Sequence, residues 1–396
     1  MNASLDKKLR GVEWGKYKLG DLFTFKGIKQ ARSQREIPTD KNGVHYIIQS
    51  MGNNMYDRNV DRQWLVDNDE APVDGNAIVL GVTLPAVSYQ PEEFGASQVI
   101  TARADFLNER IGLFFVLILK KLCFNLFSYD KKPGIGIYKN LVVDLPTKDG
   151  EIDFDFMESF IEELEARRVA LLSDYLVESG YDNYELSSEE LDALRNFSNI
   201  SDGNWGTYKV GNLFERVETK KLPYKAKELP KQPTDDYVLP CLTSSFQNQG
   251  LNYYAPKVGA TVLSNVISIP SNSDVYRAYY QSRNFTVLSD AYAIRWKSDE
   301  VEISPNHYLF MVMCINKVTD LPIYSYKNKL GGWNVVKGKH IRLPEKDGKI
   351  DFAFMGTFIS AIKKLAIKDV VLYSDQKMKA TKAVGLFSSN KRISGI

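Results

Sequence analysis

The chain carries the same series of landmarks twice. The segment WGKYKLGDLF begins at Trp14, and WGTYKVGNLF begins at Trp205, 191 positions later. Towards the end of each copy, LPTKDGEIDFDFMESFIEEL begins at Leu145 and LPEKDGKIDFAFMGTFISAI begins at Leu343, 198 positions later. A repeat of this length is a duplicated domain and not a solenoid repeat. The sequence therefore predicts two similar domains in tandem, and a function that gains from holding two similar modules at a fixed separation.

Composition limits the class of protein without identifying a partner. With 396 residues, 44% of them hydrophobic, the chain can build two ordinary cores. Its 51 basic and 49 acidic residues nearly cancel, but clustered basic residues can bind nucleic acid in a protein of balanced charge. Three cysteines lie far apart and there are only three histidines, a pattern that disfavours a metal site and fits a reducing compartment.

Neither a secretory leader nor a membrane span is expected. The first 15 residues lack the apolar core of a signal peptide. The longest apolar run, Ile111 to Leu119, is shorter than the roughly 20 residues that cross a bilayer. This run and its counterpart, His307 to Ile315, predict buried helices packed on a sheet. We expect a cytoplasmic protein that does not enter the membrane.

Each copy has the same predicted order of elements. An aromatic opening forms one short strand, a basic stretch follows, and short runs rich in Ile, Val and Tyr alternate with turn residues. HYIIQS matches DYVLPCLTSS, and NAIVLG (Asn76 to Gly81) matches ATVLSN (Ala260 to Asn265). The opening strands are expected at Tyr17 to Phe25 and Tyr208 to Val217. The predicted fold class is α+β or α/β, with a mixed β core and packed helices in each of two repeated domains.

A helix of roughly 20 residues, about 30 Å long, is predicted after each Asp-Gly turn. Apolar side chains at alternating steps of four and three form a heptad seam on each helix. The seam residues are Met157, Ile161, Leu164, Leu171 and Tyr175 in the first helix, and Met355, Ile359, Ile362 and Tyr373 in the second. Either each helix packs on its own domain, or the two pair with each other as an antiparallel coiled coil. We favour pairing because both helices follow the same domain exit.

The expected domain bounds follow from these landmarks. They are residues 10–150 for the first repeated domain, 151–200 for the first exit helix and a connector, 203–345 for the second repeated domain, and 346–385 for the second exit helix. Within the connector, Ser187 and Glu190 form an N-cap signature, which predicts a short extra helix up to Asn199.

No catalytic motif is legible. Phosphate-binding and dinucleotide-binding glycine motifs are missing, and none of the histidines lies near a nucleophile motif. The acidic cluster at Asp149, Glu151, Asp153 and Asp155 raises the alternative of a metal-dependent nuclease. Its twin in the second copy carries Lys349 and Ala353, so a turn and a helix N-terminus explain the retained carboxylates better. We expect no catalytic residue and no metal site.

Polar side chains occupy equivalent segments of the two copies, after HYIIQS and its match. Asn and Gln pair with adenine edges, Arg pairs with guanine, and Ser and Tyr contact phosphates or bases. A polar surface loop is the alternative explanation. Divergence within a shared frame favours readout by Gln49, Asn53, Asn54, Tyr56, Arg58 and Arg62 in the first copy, and Ser244, Ser245, Gln247 and Asn248 in the second.

Basic residues would supply phosphate contacts. A lysine recurs in a shared S-Y-x-x-K-x-G loop, which suits a sequence-independent grip on the DNA backbone, and basic residues alternate with tyrosines in a segment of the second copy. The candidates are Lys26, Lys29, Arg32, Arg35, Lys220, Lys221 and Lys225 in the basic stretches, Lys132 and Lys329 in the shared loop, and Arg277, Gln281 and Arg283 in the tyrosine-rich segment.

With these features the chain resembles a DNA-specificity (S) subunit of a type I or type IIB-like restriction–modification system. The resemblance covers about residues 10 to 380 and rests on the W-x-x-Y-x-[LV]-x-x-L-F openings, the Leu-Pro exits and the helices after them. It implies that each recognition domain reads one half of a bipartite DNA site and that the helices set the spacing. Here they look short, and about 30 Å would separate half-sites by roughly one DNA turn.

The resemblance also implies partners and cofactors. The partners are double-stranded DNA, methyltransferase subunits, which dock on the helices, and restriction subunits. S-adenosylmethionine and Mg²⁺, with ATP as a further candidate, would be bound by those subunits and not by this chain. Two other functions stay open on the residues alone: a duplicated protein-interaction scaffold, and a nuclease or methyltransferase with an unrecognised site.

Overall fold

The computed structural model describes residues 3–29, 32–128, 130–199, 204–288 and 290–383. The chain forms two compact units. Unit 1 extends to Tyr175 and includes the chain again from Ser374, and unit 2 comprises Leu176–Tyr373. Within the described ranges, no helix has the length and apolar character needed to cross a membrane.

Unit 1 is a mixed α+β structure. Its elements in chain order are α1 (Ala3–Gly11), β1 (Glu13–Lys18), α2 (Leu19–Leu22), β2 (Thr24–Ile28), β3 (Thr39–Ile47), β4 (Tyr56–Val60), α3 (Arg62–Asp67), β5 (Ala77–Gly81), β6 (Val87–Gln90), β7 (Phe94–Ala96), β8 (Val99–Arg103), α4 (Glu109–Leu126), α5 (Ile135–Asn140), β9 (Val142–Lys148), β10 (Glu151–Ile152) and most of α6 (Phe154–Glu178).

Within the described residues, unit 2 repeats this order except that no helix takes the place of α3. After the end of α6 its elements are α7 (Ser188–Asn199), β11 (Trp205–Lys209), α8 (Val210–Leu213), β12 (Phe214–Arg216), β13 (Leu239–Leu242), β14 (Leu251–Ala255), β15 (Val266–Pro270), β16 (Tyr279–Gln281), β17 (Thr286–Val287), β18 (Ala291–Trp296), α9 (Pro305–Thr319), α10 (Trp333–Val336), β19 (His340–Lys346), β20 (Lys349–Ile350) and most of α11 (Phe352–Ala383).

The strand orders confirm the duplication. Unit 1 has sheets β1-β9-β10, β2-β8-β5-β6 and β4-β3-β7, and unit 2 has β11-β19-β20, β12-β18-β15-β16 and β14-β13-β17. Each strand of unit 2 thus takes the place of the unit 1 strand numbered ten lower. The pairs β3–β7 and β13–β17 are parallel in their respective units. The predicted mixed β core with packed helices is confirmed.

The opening strand of each copy differs from the prediction. One strand was expected from Tyr17 to Phe25, but β1 and β2 belong to different sheets and α2 separates them. The backbone of α2 lies against the end of α5, where Leu19 N–H donates to the Leu141 carbonyl at 2.9 Å. A Cβ on Gly20 would lie 2.7 Å from the Lys139 carbonyl oxygen, so glycine permits the step between sheets. α8 makes the same step in unit 2.

One predicted match between strands of the two copies is wrong by five positions. The counterpart of β5 in the strand order is β15, at Val266–Pro270, and not the run Ala260 to Asn265. An asparagine in the left-handed region, Asn76 with φ 48° or Asn265 with φ 53°, directly precedes the strand in each unit. That asparagine aligns the copies correctly, whereas apolar similarity alone does not.

The apolar helices α4 and α9 are buried, as predicted. Asn108 caps α4 by accepting from Ile111 N–H at 3.0 Å, and Ser304 caps α9 by accepting from His307 N–H at 3.3 Å. Phe115 and Phe310 are among the largest fully buried side chains of the two cores. Truncating either phenylalanine would cost about 3–5 kcal/mol.

The helix predicted as an extra connector is instead part of the repeat. Ser187 and Glu190 form the predicted capping box, with Ser187 N–H donating to Glu190 Oε2 at 2.9 Å. α7 precedes the opening of unit 2 as α1 precedes that of unit 1. Lys8 of α1 pairs with Glu163 of α6, and Glu190 of α7 pairs with Lys364 of α11 at 2.8 Å. The duplicated module therefore begins one helix before its tryptophan.

The exit helices are longer than the predicted 20 residues. α6 has 25 residues and α11 has 32, which correspond to about 38 and 48 Å. α6 ends at Glu178, and the φ of 67° at Gly180 just beyond it allows the N–H groups of Gly180 and Tyr181 to donate to the Val177 and Leu176 carbonyls. Each helix begins at the predicted place, since Asp153 and Asp351 accept from Phe156 and Phe354 N–H at 2.8 and 2.9 Å.

The predicted seam does not coincide with the buried face. Met157, Ile161, Leu164, Met355 and Ile359 pack into the core of their own unit. The other predicted seam residues are exposed, namely Leu171, Tyr175, Ile362 and Tyr373. The first turns of each helix bury the face that packs on the domain core. In a straight α-helix, positions seven residues apart rotate by about 20° around the axis, so a seven-residue pattern that starts at Met157 leaves this face in the later turns.

The outer turns bury a different set of positions. Ala166, Val169 and Leu176 are buried on α6, and Val371 and Ser374 are buried on α11, at steps of three and seven. Within unit 1, Lys377, Ala380 and Thr381 of α11 border the same small cavity as Glu162, Ala166 and Val169 of α6. The last described turns of α11 therefore lie beside the first half of α6.

Candidate nucleic-acid interface

The same polar turn connects β3 to β4 and β13 to β14. We call residues 50–55 the first polar turn and residues 245–250 the second. Asn53, Asn54 and Met55 have φ of 49°, 49° and 64°, and Asn248, Gln249 and Gly250 have φ of 48°, 54° and 86°. This left-handed region of φ costs residues other than glycine about 1–2 kcal/mol, and asparagine tolerates it best. Three consecutive left-handed residues in both copies mark a retained structure.

Side-chain hydrogen bonds fix the first polar turn. Gly52 N–H donates to Ser50 Oγ at 3.2 Å, and Asn53 Nδ2 donates to the Tyr56 carbonyl at 3.2 Å. Backbone pairing closes the turn, where Ile48 N–H donates to the Met55 carbonyl at 2.9 Å. The predicted contact Asn53 therefore shapes the turn with its amide nitrogen.

The second polar turn repeats each of these bonds. Gln247 N–H donates to Ser245 Oγ at 3.1 Å, Asn248 Nδ2 donates to the Leu251 carbonyl at 2.6 Å, and Thr243 N–H donates to the Gly250 carbonyl at 2.9 Å. The two polar segments singled out in the sequence are thus equivalent in three dimensions.

A buried glutamine anchors each polar turn from below. Gln90 is 3% exposed, and its Nε2 donates to the Asn54 carbonyl at 3.0 Å and to Ser88 Oγ at 3.0 Å. Gln281 is 4% exposed, and its Nε2 donates to the Gln249 carbonyl at 3.1 Å and to Ser268 Oγ at 3.0 Å. Gln281, predicted as a DNA contact, thus positions the turn, and Gln90 was missed. The signal that could have identified Gln90 is that a glutamine ends both equivalent strands, β6 and β16.

In unit 2 the second polar turn borders a polar cleft of about 630 Å³. The structure brings four predicted contacts together there: Ser244, Ser245, Gln247 and Asn248. Sequence reasoning missed three further lining side chains, Lys231, Gln232 and Tyr254. A cleft lined by amides, hydroxyls and an ammonium group suits hydrogen-bonded readout of base edges and phosphates.

A second, basic cleft of about 750 Å³ lies beside the same chain segment. Lys220, Lys221 and Lys225, the predicted phosphate contacts of this stretch, line it together with Arg216, whose guanidinium carbon lies 5.7 Å from the Tyr292 ring centroid. Residues 219–232 contribute to both clefts. Cationic and polar linings on one segment are the arrangement expected where backbone grip and readout meet.

The basic stretch of unit 1 is on the surface. Lys26, Lys29, Arg32 and Arg35 are exposed, and the Arg32 backbone amide donates to the Glu70 carboxylate. In the shared loop, Lys132 and Lys329 are exposed, and Lys329 Nζ lies 4.8 Å from the Tyr326 ring centroid. Arg283 is also exposed. These positions suit the predicted phosphate contacts.

Three predicted arginines are held in ion pairs. Arg62 makes a two-pronged pair with Glu93 at 2.6 and 2.8 Å, and Arg277 Nε lies 2.6 Å from Asp320 Oδ2. The hydrogen bond that Arg277 donates to Asp320 raises the pKa of Arg277, so this guanidinium stays charged. Arg58 pairs with Asp57 and donates to the Gln34 carbonyl at 2.5 Å. To contact DNA, each would exchange a protein partner for a phosphate or a base.

Two further predicted contacts also have intramolecular partners. Gln49 Oε1 accepts from Val82 and Thr83 N–H at 2.9 and 2.6 Å, which holds the loop after β5. Tyr56 Oη donates to Asn59 Oδ1 at 3.2 Å. These side chains order the surroundings of the first polar turn.

Two tyrosines near the polar turns are held in the neutral form. Burial raises the pKa of Tyr46 to about 12, with the negative charge of Glu70 adding to the effect. Burial likewise raises the pKa of Tyr279, whose hydroxyl donates to the Phe246 carbonyl at 3.1 Å. The phenols therefore remain protonated at neutral pH, and Tyr279 supports the second polar turn from its outer side.

Among the residues that the structure describes, no three His, Cys, Asp or Glu side chains come together as a metal site. The acidic cluster separates into a turn and a helix start. Asp149 and Asp347 occupy the Asp-Gly turns with φ of 53° and 52°, and Asp153 and Asp351 cap α6 and α11. Burial raises the pKa of Cys123, Cys241 and Cys314 to about 12, so these thiols are protonated at neutral pH.

Comparison with known proteins places this architecture. Residues 11–173 match the family described as the Type I restriction modification DNA specificity domain. The chain is 20% identical over 366 residues to the specificity subunit S.BcgI of a Type II restriction enzyme from Heyndrickxia coagulans, covering 90% of this chain and 96% of that protein. The crystal structure of a Type-I restriction-modification system S subunit from M. genitalium shares the fold, with a TM-score of 0.50, 12% identity, and 94% of each chain covered.

Proposed function

We propose that this chain is a DNA-specificity subunit of a restriction–modification system and that its two units each read one half of a bipartite DNA site. The duplication is what supports two readers, since each unit carries its own polar turn and its own basic surface. Readout without catalysis is the role of a specificity subunit, so methylation and cleavage fall to other subunits.

The paired polar turns carry this proposal. Their frames agree bond for bond, through Ser50 and Ser245, Asn53 and Asn248, and the buried glutamines below them. Their tips differ, with Met51-Gly52 in one copy and Phe246-Gln247 in the other. A constant frame that presents variable tips is what two modules reading different sequences require.

We further propose that residues 151–200 and 346–385 provide the spacer between recognition domains at 10–150 and 203–345. Contacts within unit 1 support an antiparallel pair, because the last described turns of α11 lie beside the first half of α6. Positions 200 and 384–385 of these proposed segments lie outside the described residues. The helices would set the half-site spacing and dock methyltransferase subunits.

The proposed assembly joins this chain to double-stranded DNA and to methyltransferase and restriction subunits. S-adenosylmethionine, Mg²⁺ and, as a further candidate, ATP belong to those partners. The exposed lysines would grip phosphates without regard to sequence, which predicts binding that weakens steeply with salt.

Selection from a random double-stranded DNA library by the purified full chain tests the proposal. We expect enrichment of two short sequence blocks separated by a fixed number of unspecified base pairs. Replacing residues 26–65 by the corresponding segment of another specificity subunit should change one block only. A change in both blocks would refute the modular reading.

The other two candidate functions predict different outcomes in the same preparation. A protein-interaction scaffold would bind no DNA even at low salt. A nuclease or methyltransferase would cleave or methylate DNA when the purified chain is supplied alone with Mg²⁺ or S-adenosylmethionine.

A further inference from the structure

Each polar turn carries a large apolar side chain at its tip. Met51 is 48% exposed and Phe246 is 49% exposed. Each follows the serine that caps its turn, Ser50 or Ser245, and so occupies the same position in the two frames. One tip carries a thioether and the other a phenyl ring, yet both side chains are apolar and nearly equally exposed.

The second tip is held rigidly. The Phe246 carbonyl accepts from Tyr279 Oη, Gln247 N–H donates to Ser245 Oγ, and the next two residues are fixed in the left-handed region. The backbone that carries the phenyl ring is therefore ordered before any ligand arrives. A segment whose backbone is already ordered loses less conformational entropy on binding.

The surroundings of Phe246 indicate what it would meet. Gln247 follows it and is exposed, and both Gln247 and Asn248 border the polar cleft. Amides of this kind pair with adenine N6 and N7 in the major groove. An A·T pair presents the thymine C5-methyl group in that same groove, and phenylalanine is a known type of partner for this methyl.

We propose that Phe246 contacts a thymine methyl group in the half-site read by unit 2, and that Met51 has the equivalent role in unit 1. This inference rests on the proposed function and adds a specificity-determining contact to it. The apolar tip recognises the methyl, and in unit 2 the side-chain amide of Gln247 reads the paired adenine.

Replacing thymine by uracil in the DNA removes only this methyl, so the test pairs it with Phe246→Ala. The full chain is titrated with its selected duplex, in which each thymine of the second half-site is replaced in turn by uracil. At one position the wild type should lose about fourfold in affinity, the effect of one methyl-sized group. Phe246→Ala should bind thymine and uracil DNA equally, at the weakened level.

Val258→Ala is the matched control, because Val258 is an apolar residue of unit 2 that is 93% exposed and lies outside the turn. It should leave both affinities unchanged. The salt dependence of Phe246→Ala should equal that of the wild type, since no phosphate contact is lost, whereas Lys220→Gln should flatten it. An unchanged melting temperature shows that the variant is folded.

Two results would overturn the inference. One is wild-type binding that is unaffected by uracil at every thymine of the half-site. This includes the case in which Phe246→Ala weakens binding because the phenyl ring contacts the bases by stacking and not through a methyl group. The other is a variant that remains as uracil-sensitive as the wild type. Failure of the proposed function looks different, because the wild type would then select no sequence from the library.

Discussion

At the scale of single residues, the buried glutamines decide whether the polar turns hold their shape. Gln281→Leu keeps the volume but removes the donor, so the carbonyl of Gln249 loses its partner. An unpaired buried carbonyl costs about 1–3 kcal/mol. We expect urea unfolding to show that loss of stability, and we expect unit 2 to bind its DNA half-site more weakly.

An exposed glutamine supplies the comparison. Gln63 donates to Asp67 at 2.9 Å on the surface of α3, so Gln63→Leu should change the free energy of unfolding by less than about 0.5 kcal/mol. Equal losses in the two variants would show that Gln281 does not anchor the turn.

Residue types located the polar turns in the sequence, because Ser, Asn and Gln cluster there in both copies. They did not separate side chains that build the turn from those that face outward. Gln281 and Gln49 were expected to meet DNA, but their partners are a carbonyl and two amides brought close by strand pairing. Met51 and Phe246 were passed over because a search for polar readers ignores apolar tips.

At the scale of elements, Gly250 tests the strain built into the second polar turn. Its φ is 86°, and an added Cβ would lie 2.7 Å from Leu242 Cδ1 and 3.1 Å from the Thr243 carbonyl oxygen. Gly250→Ala should therefore lower stability by about 2–3 kcal/mol, through both backbone strain and crowding. Thermal or urea unfolding measures the loss.

Gly259 isolates the backbone part of that effect. Its φ is 79°, but nothing lies within 4 Å of its added Cβ. Gly259→Ala should cost only the left-handed penalty, about 1 kcal/mol. If the two variants lose the same stability, the second polar turn is not tightly packed.

An enclosed ion pair between Glu190 and Lys364 contributes to the contact between α7 and α11. Burial alone would raise the pKa of Glu190, but hydrogen bonds from Lys364, Ser360 and the Ser187 amide outweigh it and hold the pKa below its usual value. Lys364→Met leaves this carboxylate without its cation. Removing one partner of such a pair costs about 3–5 kcal/mol.

The pH dependence of that loss has a definite sign. A lowered carboxyl pKa stabilises the fold fully above the unfolded value of about 4.3, and the contribution is lost as pH falls through the folded value. The stability difference between wild type and Lys364→Met should therefore be large at pH 7 and shrink at pH 3.5. Arg195→Met, which breaks the exposed pair with Asp192 at 3.5 Å, should change stability by less than about 1 kcal/mol at either pH.

Element order was predictable from the sequence, whereas register and length were not. The apolar runs, Asp-Gly turns and Ser187 cap identified helices and turns correctly. The seam failed because Met157 and Met355 serve the cores of their own units, so the periodicity of the first turns does not continue onto the outer face. Which side a helix buries depends on what packs against it, and that information is spread along the chain.

At the scale of the whole molecule, the repeat itself was the strongest prediction, because matched segments near 191 and 198 positions apart already imply matched topology. The spacer proposal extends it. Seven residues inserted in both α6 and α11, beyond the turns that pack on each unit, would add about 10.5 Å. DNA selection should then return the same two blocks separated by about three more base pairs, at 3.4 Å each.

Insertion into α6 alone supplies the matched control for spacing. It should disturb the helix pair and lower stability without giving a clean new spacing. A doubly extended chain that selects the original spacing would show that the helices do not set the distance between half-sites.

Grafting one polar turn onto the other tests the central claim most directly. The substitutions Phe246→Met, Gln247→Gly and Gln249→Asn give the second turn the tip of the first, while Ser245, Asn248 and Gln281 keep the frame. Selection from a random duplex library, compared with the wild type, should show a changed second block and an untouched first block at the original spacing. If the two selected blocks stay the same, or if both change together, the two-reader account is contradicted.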